Sequence, residues 1–205
     1  MTEQAEAQSG NLVARVLVIL AGGQSRRIGR DKATLRLNGV RMIDRVIGRL
    51  AATDVEVVLS AASDYGLDRP FFPDGVDGIK GPAAGLRAAL DWLTQKRPGL
   101  SGFYTAPVDA PFLPTDLLIR LAATKRSAIA VTPSGPHPTC AYWALSDLRA
   151  AFDGLPAGAS PSLKSIAKRC AADHVAFEDE AAFANINTLD DVEAAQRLLA
   201  DERRD

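Results

Sequence analysis

Short runs of β-branched and leucine residues alternate with segments whose apolar residues recur three and four positions apart, and this alternation extends over most of the 205-residue chain. Residues 15–20 form the first run, which halts at Ala21-Gly22-Gly23, the pattern of a buried strand feeding a glycine loop. Ile43, Val46, Ile47 and Leu50 then fall at i, i+3, i+4 and i+7, one stripe of an amphipathic helix. Residues 55–59 predict a second buried strand, and Phe71-Phe72, stopped by Pro73-Asp74-Gly75, a short third. Gly81-Pro82 opens a helix with Leu86, Ala89, Leu90 and Leu93 on one face, since proline's missing N–H costs least in a first turn. A strand over 102–106 leads into a proline-punctuated loop over 109–114, after which Thr115 can cap a helix bearing Leu117, Leu118 and Leu121. Strands over 128–132 and 139–144 follow, then a helix capped by Ser146 and ending near Phe152, an apparent strand from His174, and a last helix. Thr188 can cap that helix, with Asp190 and Asp191 in its first turn and Val192, Ala195 and Leu199 inward.

Repeated strand, loop and helix units of this size predict an α/β fold: a single doubly wound, mostly parallel sheet with helices on both faces. The stretch 154–162, GLPAGASPS, is linker-like but too few residues flank it on either side to build a second core, so it reads as a loop within one domain. The domain is expected over 14–201, with a flexible tail at 1–13 and a polar tail at 202–205.

Composition narrows the function. With 24 Lys plus Arg against 25 Asp plus Glu the net charge is -1, which excludes a domain-wide basic surface for nucleic acid or anionic membrane and leaves room for a local basic site. The first ten residues carry two Glu and no Lys or Arg, unlike a secretory leader. No apolar run approaches the roughly 20 residues of a membrane helix, so a soluble, cytoplasmic protein is expected. The two cysteines, Cys140 and Cys170, form no C-x-x-C pair, and Cys140 reads as a small buried apolar residue.

Ligands of open α/β sheets bind outside the carboxyl ends of the strands. The first such loop, LAGGQSRRIGRDK over 20–32, places Arg26, Arg27, Arg30 and Lys32 among glycines 22, 23 and 29. A charge run alone is more often a solvated face. Glycines that let backbone N–H groups approach an anion, placed after a buried strand, turn the reading toward a polyphosphate site. The letters match neither a P-loop nor the G-x-G-x-x-G dinucleotide motif. Asp109 follows the strand over 102–106 ahead of two prolines. It is either a turn aspartate or the carboxylate a Mg²⁺ ion requires beside phosphate and water. Asp74 is a turn residue that could also face the site, and Asn185 and Asn187 could cap backbone or touch a ligand. His137, between prolines, and His174 read as structural or surface groups, not as a catalytic set.

LAGGQSRRIGRDK, GPAAGL at 81–86, VDAPFLP at 108–114, HPT at 137–139 and NINTLDDV at 185–192 together resemble the molybdenum cofactor guanylyltransferases. The resemblance spans nearly the whole chain from the first strand to the last helix. It implies transfer of GMP from GTP to the terminal phosphate of molybdenum-bound molybdopterin, with Mg²⁺, yielding the guanine dinucleotide cofactor and pyrophosphate. It further implies that Leu20, Ala21, Gly22 and Gly23 contact the nucleotide, that Lys32 and Arg26 serve its phosphates, that Asp74 contacts the nucleotide, that Asp109 holds Mg²⁺, and that Asn185 and Asn187 lie toward the acceptor. Molybdoenzyme chaperones or cofactor-insertion proteins are the partners it implies. Ser60 stands where the family often has a nucleotide-contacting asparagine, Ile28 where methionine is usual, and Val108 where cysteine is frequent. Within the superfamily, Gly23 in LAGG favours GTP over CTP. The rival readings are a cytidylyltransferase on the same acceptor, a sugar- or alcohol-phosphate nucleotidyltransferase, and a non-catalytic carrier of nucleotide or cofactor.

Overall fold

A computed structural model describes residues 15–22, 31–51, 54–73, 79, 81–156 and 158–201. In chain order the elements are β1 (Val16–Leu20), β2 (Arg36–Leu37), β3 (Val40–Arg41), α1 (Met42–Leu50), β4 (Glu56–Ser60), β5 (Phe71–Phe72), α2 (Ala84–Lys96) and β6 (Gly102–Pro107). They continue with α3 (Leu117–Ala122), β7 (Ala128–Thr132), β8 (Gly135–Ala144), α4 (Leu145–Asp153), α5 (Leu163–Arg169), β9 (Asp173–Ala176) and α6 (Leu189–Asp201). Single 3-10 turns occupy Lys32–Thr34, Gly81–Ala83 and Ala181–Phe183.

Seven strands form the main sheet in the order β5-β4-β1-β6-β8-β7-β9. All pairings are parallel except the two made by β8, which runs against β6 and β7. Alternate residues of β1 point to opposite faces, so Leu17 and Ile19 join the core beneath α1 and α3, while Val16 and Val18 join the core beneath α2, α4 and α5. Both faces are therefore buried, the arrangement that requires near-continuous apolar strands. Leu86, Ala89, Leu90 and Leu93 of α2 all face the second core, as their spacing predicts. A third cluster holds α6 through Ala195 and Leu199 against Leu37, Met42 and Ile186. Among the described residues no helix is long and apolar enough to cross a membrane.

Two caps differ from expectation. Asp116, not Thr115, stands at the start of α3 without a side-chain capping bond, its carboxylate 3.8 Å from Arg120 one turn on. Helix α4 starts directly from β8 at Leu145, whose N–H donates to the Ser101 carbonyl at 2.9 Å, so Ser146 lies inside the first turn and not at the cap position. The strand expected over 139–144 begins four residues earlier, at Gly135. The tails fall outside the described residues, and α5 and the β2–β3 hairpin are elements that the apolar pattern did not announce.

Candidate functional site

The sheet order reverses between β1 and β6: the chain leaves β1 toward β4 and β5 on one side and returns to β6 on the other. A crevice must open where successive connections diverge in this way. A cleft of about 450 Å³ lies there, floored by Leu20, Ala21 and Gly22 at the exit of β1 and Pro107, Val108 and Asp109 at the exit of β6. Backbone bonds continue past the strand ends, from Ala21 N–H to Ser60 C=O at 3.0 Å and from Val108 N–H to Leu20 C=O at 3.1 Å, which fixes the floor. Ser60, only 1% exposed, closes the β4 side. The opposite wall is formed by Gly81 and Pro82 ahead of α2, with Leu163 of α5. Gly81 has φ +74°, and a Cβ there would stand 2.3 Å from Ser160 Oγ. Ser160 of the linker-like loop is thus packed against the cleft wall.

β8 supplies the remaining side. It pairs with β6 only over Ala141–Ala144, and its pairing with β7 shifts between Ile129 and Ala130. Pro136 and Pro138, which lack an N–H, are tolerated because no ladder to β6 exists there. The chain splays away from the end of β6 and brings Thr139 to the cleft.

The charged centre joins three distant segments. Lys32, in the turn Lys32–Thr34, donates from Nζ to Asp109 Oδ2 at 2.8 Å and also to Asn187 Oδ1. The Lys32 and Asp109 side chains are 18% and 21% exposed, enough to be reached from the cleft yet largely withdrawn from screening water. Ile186 N–H donates to the Asp109 carbonyl at 2.8 Å, tying the NIN segment to the end of β6. Asn187 is held in turn by Asp191 Oδ2, which accepts its N–H at 2.8 Å and that of Thr188 at 2.9 Å. Thr188 Oγ1 accepts the Asp191 N–H at 3.2 Å, completing a reciprocal capping box at the start of α6. These backbone donors, with the Thr188 hydroxyl, hold the Asp191 carboxyl below the ordinary carboxylate range, and Lys32 adds to the effect.

Leu20, Ala21, Gly22, Lys32, Ser60 and Asp109 therefore meet in one cleft, and Asn187 reaches it through Lys32. Asn185 is exposed and is not among the lining residues. Gly23, Arg26, Arg27, Ile28, Arg30 and Asp74 lie outside the described residues. Thr139, Leu163 and Asp191 acquire positions that residue types alone did not announce. Thr139 was visible only within HPT, and Asp191 only within NINTLDDV and as an acid in a first turn. His137 does not line the cleft. Its Nε2 is 2.8 Å from Thr132 Oγ1 and its ring lies 4.9 Å from that of Phe183; burial, with Lys164 nearby, lowers its pKa. His174 is exposed. Burial pushes the Cys140 thiol up to about 12, which removes it as a nucleophile at neutral pH.

Among the described residues no three His, Cys, Asp or Glu side chains converge on one point, so an all-protein metal cage is absent from them. A hard cation that keeps water and phosphate ligands needs only one or two carboxylates, and Asp109 fits: its carboxylate borders the cleft and already holds the ammonium of Lys32.

The model of the MobA-like NTP transferase domain family matches residues 17–175. Molybdenum cofactor guanylyltransferase of Cereibacter sphaeroides is 36% identical over 89% of this chain and 95% of its own. The protein of that name from Rhodobacter capsulatus is 38% identical over 89% and 95%. Among solved structures, molybdopterin-guanine dinucleotide biosynthesis protein A from Archaeoglobus fulgidus superposes with a TM-score of 0.65 at 23% identity, covering 91% of this chain and 99% of that one. The 2-C-methyl-D-erythritol 4-phosphate cytidylyltransferase of Thermus thermophilus gives 0.61 at 18%, covering 89% and 98%. These last two likenesses establish a shared nucleotidyltransferase fold. The match along most of the chain to both the domain family and the curated enzymes places this protein among the molybdenum cofactor guanylyltransferases, within the MobA-like NTP transferases.

Proposed function

We propose that the cleft binds GTP and transfers its GMP moiety to the terminal phosphate of molybdenum-bound molybdopterin. The observation that carries this reading is the meeting of Lys32, Asp109 and Asn187 at the open end of the sheet's switch point, beside a glycine-bearing strand exit. A cavity of about 450 Å³ falls within the ordinary range for small-molecule sites. Leu20, Ala21, Gly22 and Ser60 would contact the nucleotide, joined by Gly23 and Asp74, and Lys32 and Arg26 would neutralise its phosphates. Mg²⁺ held by Asp109 would supply further neutralisation of the triphosphate when bound. Asn187 and Asn185 would lie toward the acceptor.

Chemically, an acceptor phosphate oxygen attacks the α-phosphorus; the new P–O bond forms as the α–β bridging P–O bond breaks, and its electron pair leaves with pyrophosphate. A phosphate monoester has a second pKa of about 6, so the nucleophile is already an anion at neutral pH and requires no general base. That agrees with a cleft in which His137 takes no part. The barrier is the approach of two anions, which positioning and fixed cations reduce. Lys32 is suited to this role. With no nucleotide its ammonium is balanced by Asp109, and a triphosphate in the cleft offers it stronger anionic partners. A cytoplasmic location and delivery of the product to molybdoenzyme chaperones or cofactor-insertion proteins complete the proposal. The test is to incubate the purified protein with Mg²⁺, molybdopterin and each of the four nucleoside triphosphates and to measure pyrophosphate. Release with GTP alone is expected; equal release with CTP would overturn the base assignment.

A further inference from the structure

The turn that carries Lys32 is one 3-10 turn long, too short to hold its own orientation, because a single helical turn orders several residues for very few hydrogen bonds. Something outside the turn must fix it. Its capping residue, Asp31, uses both carboxylate oxygens: Oδ1 accepts the Ala33 N–H at 2.9 Å, and Oδ2 accepts the Tyr65 hydroxyl at 2.9 Å. Tyr65 lies in the loop that leaves the carboxyl end of β4 just beyond Ser60, and its ring packs on the first core.

That loop is unusually constrained. Tyr65 has φ +53°, a left-handed conformation that a residue with a Cβ adopts only at a cost. Its carbonyl accepts from Arg41 Nη1 at 2.7 Å, and Arg41 is itself clamped by two bonds to Asp44 at 2.7 and 2.8 Å. On the other side Asp64 accepts from Gly66 N–H at 3.0 Å and from Asp68 N–H at 3.2 Å. A strained backbone held from both sides aims one hydroxyl at the residue that caps the Lys32 turn.

We propose that Tyr65 is a positioning residue for triphosphate binding: through Asp31 it sets the height and direction of the Lys32 turn, so that the ammonium meets the phosphates. The inference rests on the assignment of Lys32 to the nucleotide phosphates. Burial, reinforced by the bond to Asp31, pushes the Tyr65 phenol up to about 12, so it stays a hydrogen-bond donor at every pH at which the protein would work.

The test uses the full chain with Mg²⁺ and measures affinity for GTP and for guanosine in the wild type, Y65F, D31N, K32A and the Y65F/K32A double variant. Phenylalanine keeps the ring in the core and deletes only the hydroxyl. Y65F and D31N are each expected to weaken GTP binding roughly three- to tenfold, the usual net yield of one ordinary hydrogen bond, because the bond acts on the ligand only through the turn. They should leave guanosine binding unchanged and add nothing to the loss caused by K32A. A Y65F protein that binds GTP like the wild type, loses guanosine equally, or weakens the K32A variant further would overturn the proposal. K32A binding GTP normally would instead overturn the assignment of Lys32 itself. A D31N variant that fails to fold leaves the Y65F comparison to decide.

Discussion

Asp109 and Lys32 lie 77 positions apart in sequence, yet they form a part-buried ion pair lining the cleft, and their pairing defines what each substitution should do. Asp109→Asn keeps the shape of the side chain and removes the charge that would hold Mg²⁺. We expect pyrophosphate release to fall on the order of 10²-fold or more, the scale of losing a main charge-stabilising group, while GTP is still bound. Unchanged turnover in that variant would remove Asp109 from the metal site. Lys32→Ala should weaken GTP binding and lower turnover together, because on this proposal the ammonium would contribute before as well as during the reaction; a titration identical to wild type would exclude it. Neither effect is expected at His137 or Cys140. The first is bonded to Thr132 outside the cleft and the second is a buried neutral thiol, so substituting them should alter stability before rate.

The capping box at α6 couples helix to site, since the carboxylate that caps the helix also holds the backbone of Asn187. Thr188→Ala should cost about 1 kcal/mol of stability by leaving the Asp191 amide without its partner, readable as a lowered midpoint of thermal unfolding. Asp191 gives that stability a pH dependence of defined sign. Its native pKa is depressed below the unfolded value, so its contribution is complete above the unfolded carboxylate range and is lost as pH falls through the native value. Comparing the acid limb of unfolding in wild type and Asp191→Ala checks this, and identical limbs would show that the carboxylate is not linked to folding. The same element shows what sequence reveals. Thr188, with an acid three positions on and an apolar stripe behind it, carries its cap in local order, and the cap is found where the pattern puts it. Thr115 and Ser146 satisfy the same local preference without capping, because the chain enters α3 through a turn and enters α4 straight from β8, where the Ser101 carbonyl already takes the first amide. Caps depend on the direction of entry, which is tertiary information. Asn38-Gly39, both at positive φ between β2 and β3, was a legible hairpin signal; strands of two residues are too short for any periodicity to show. Asp31 and Tyr65 meet across 34 positions, and no local pattern could have joined them.

A net charge of -1 conceals its distribution: five of the 24 basic residues lie between Arg26 and Arg36, with Asp31 the sole acid among them. Of these five, Lys32 is the described residue that lines the cleft, which opens where β1, β4 and β6 end on the same side and β8 runs against them. Because the cleft draws on residues from Leu20 to Leu163, a ligand bound there should stabilise the molecule as a unit, not one loop of it. At about 100 times its Kd, GTP should add about 2.7 kcal/mol to the unfolding free energy. For a domain of this size each kcal/mol moves the thermal midpoint by about 2–4 °C, so a rise of roughly 5–10 °C is expected. A nucleotide bound ten times more weakly, at the same concentration, adds only about 1.4 kcal/mol and roughly half that rise. Thermal unfolding with Mg²⁺ and matched GTP or CTP therefore reads base selectivity without the acceptor. A clearly larger rise with GTP is the expected result, and equal rises would mean that the cleft recognises the triphosphate and leaves the base unread.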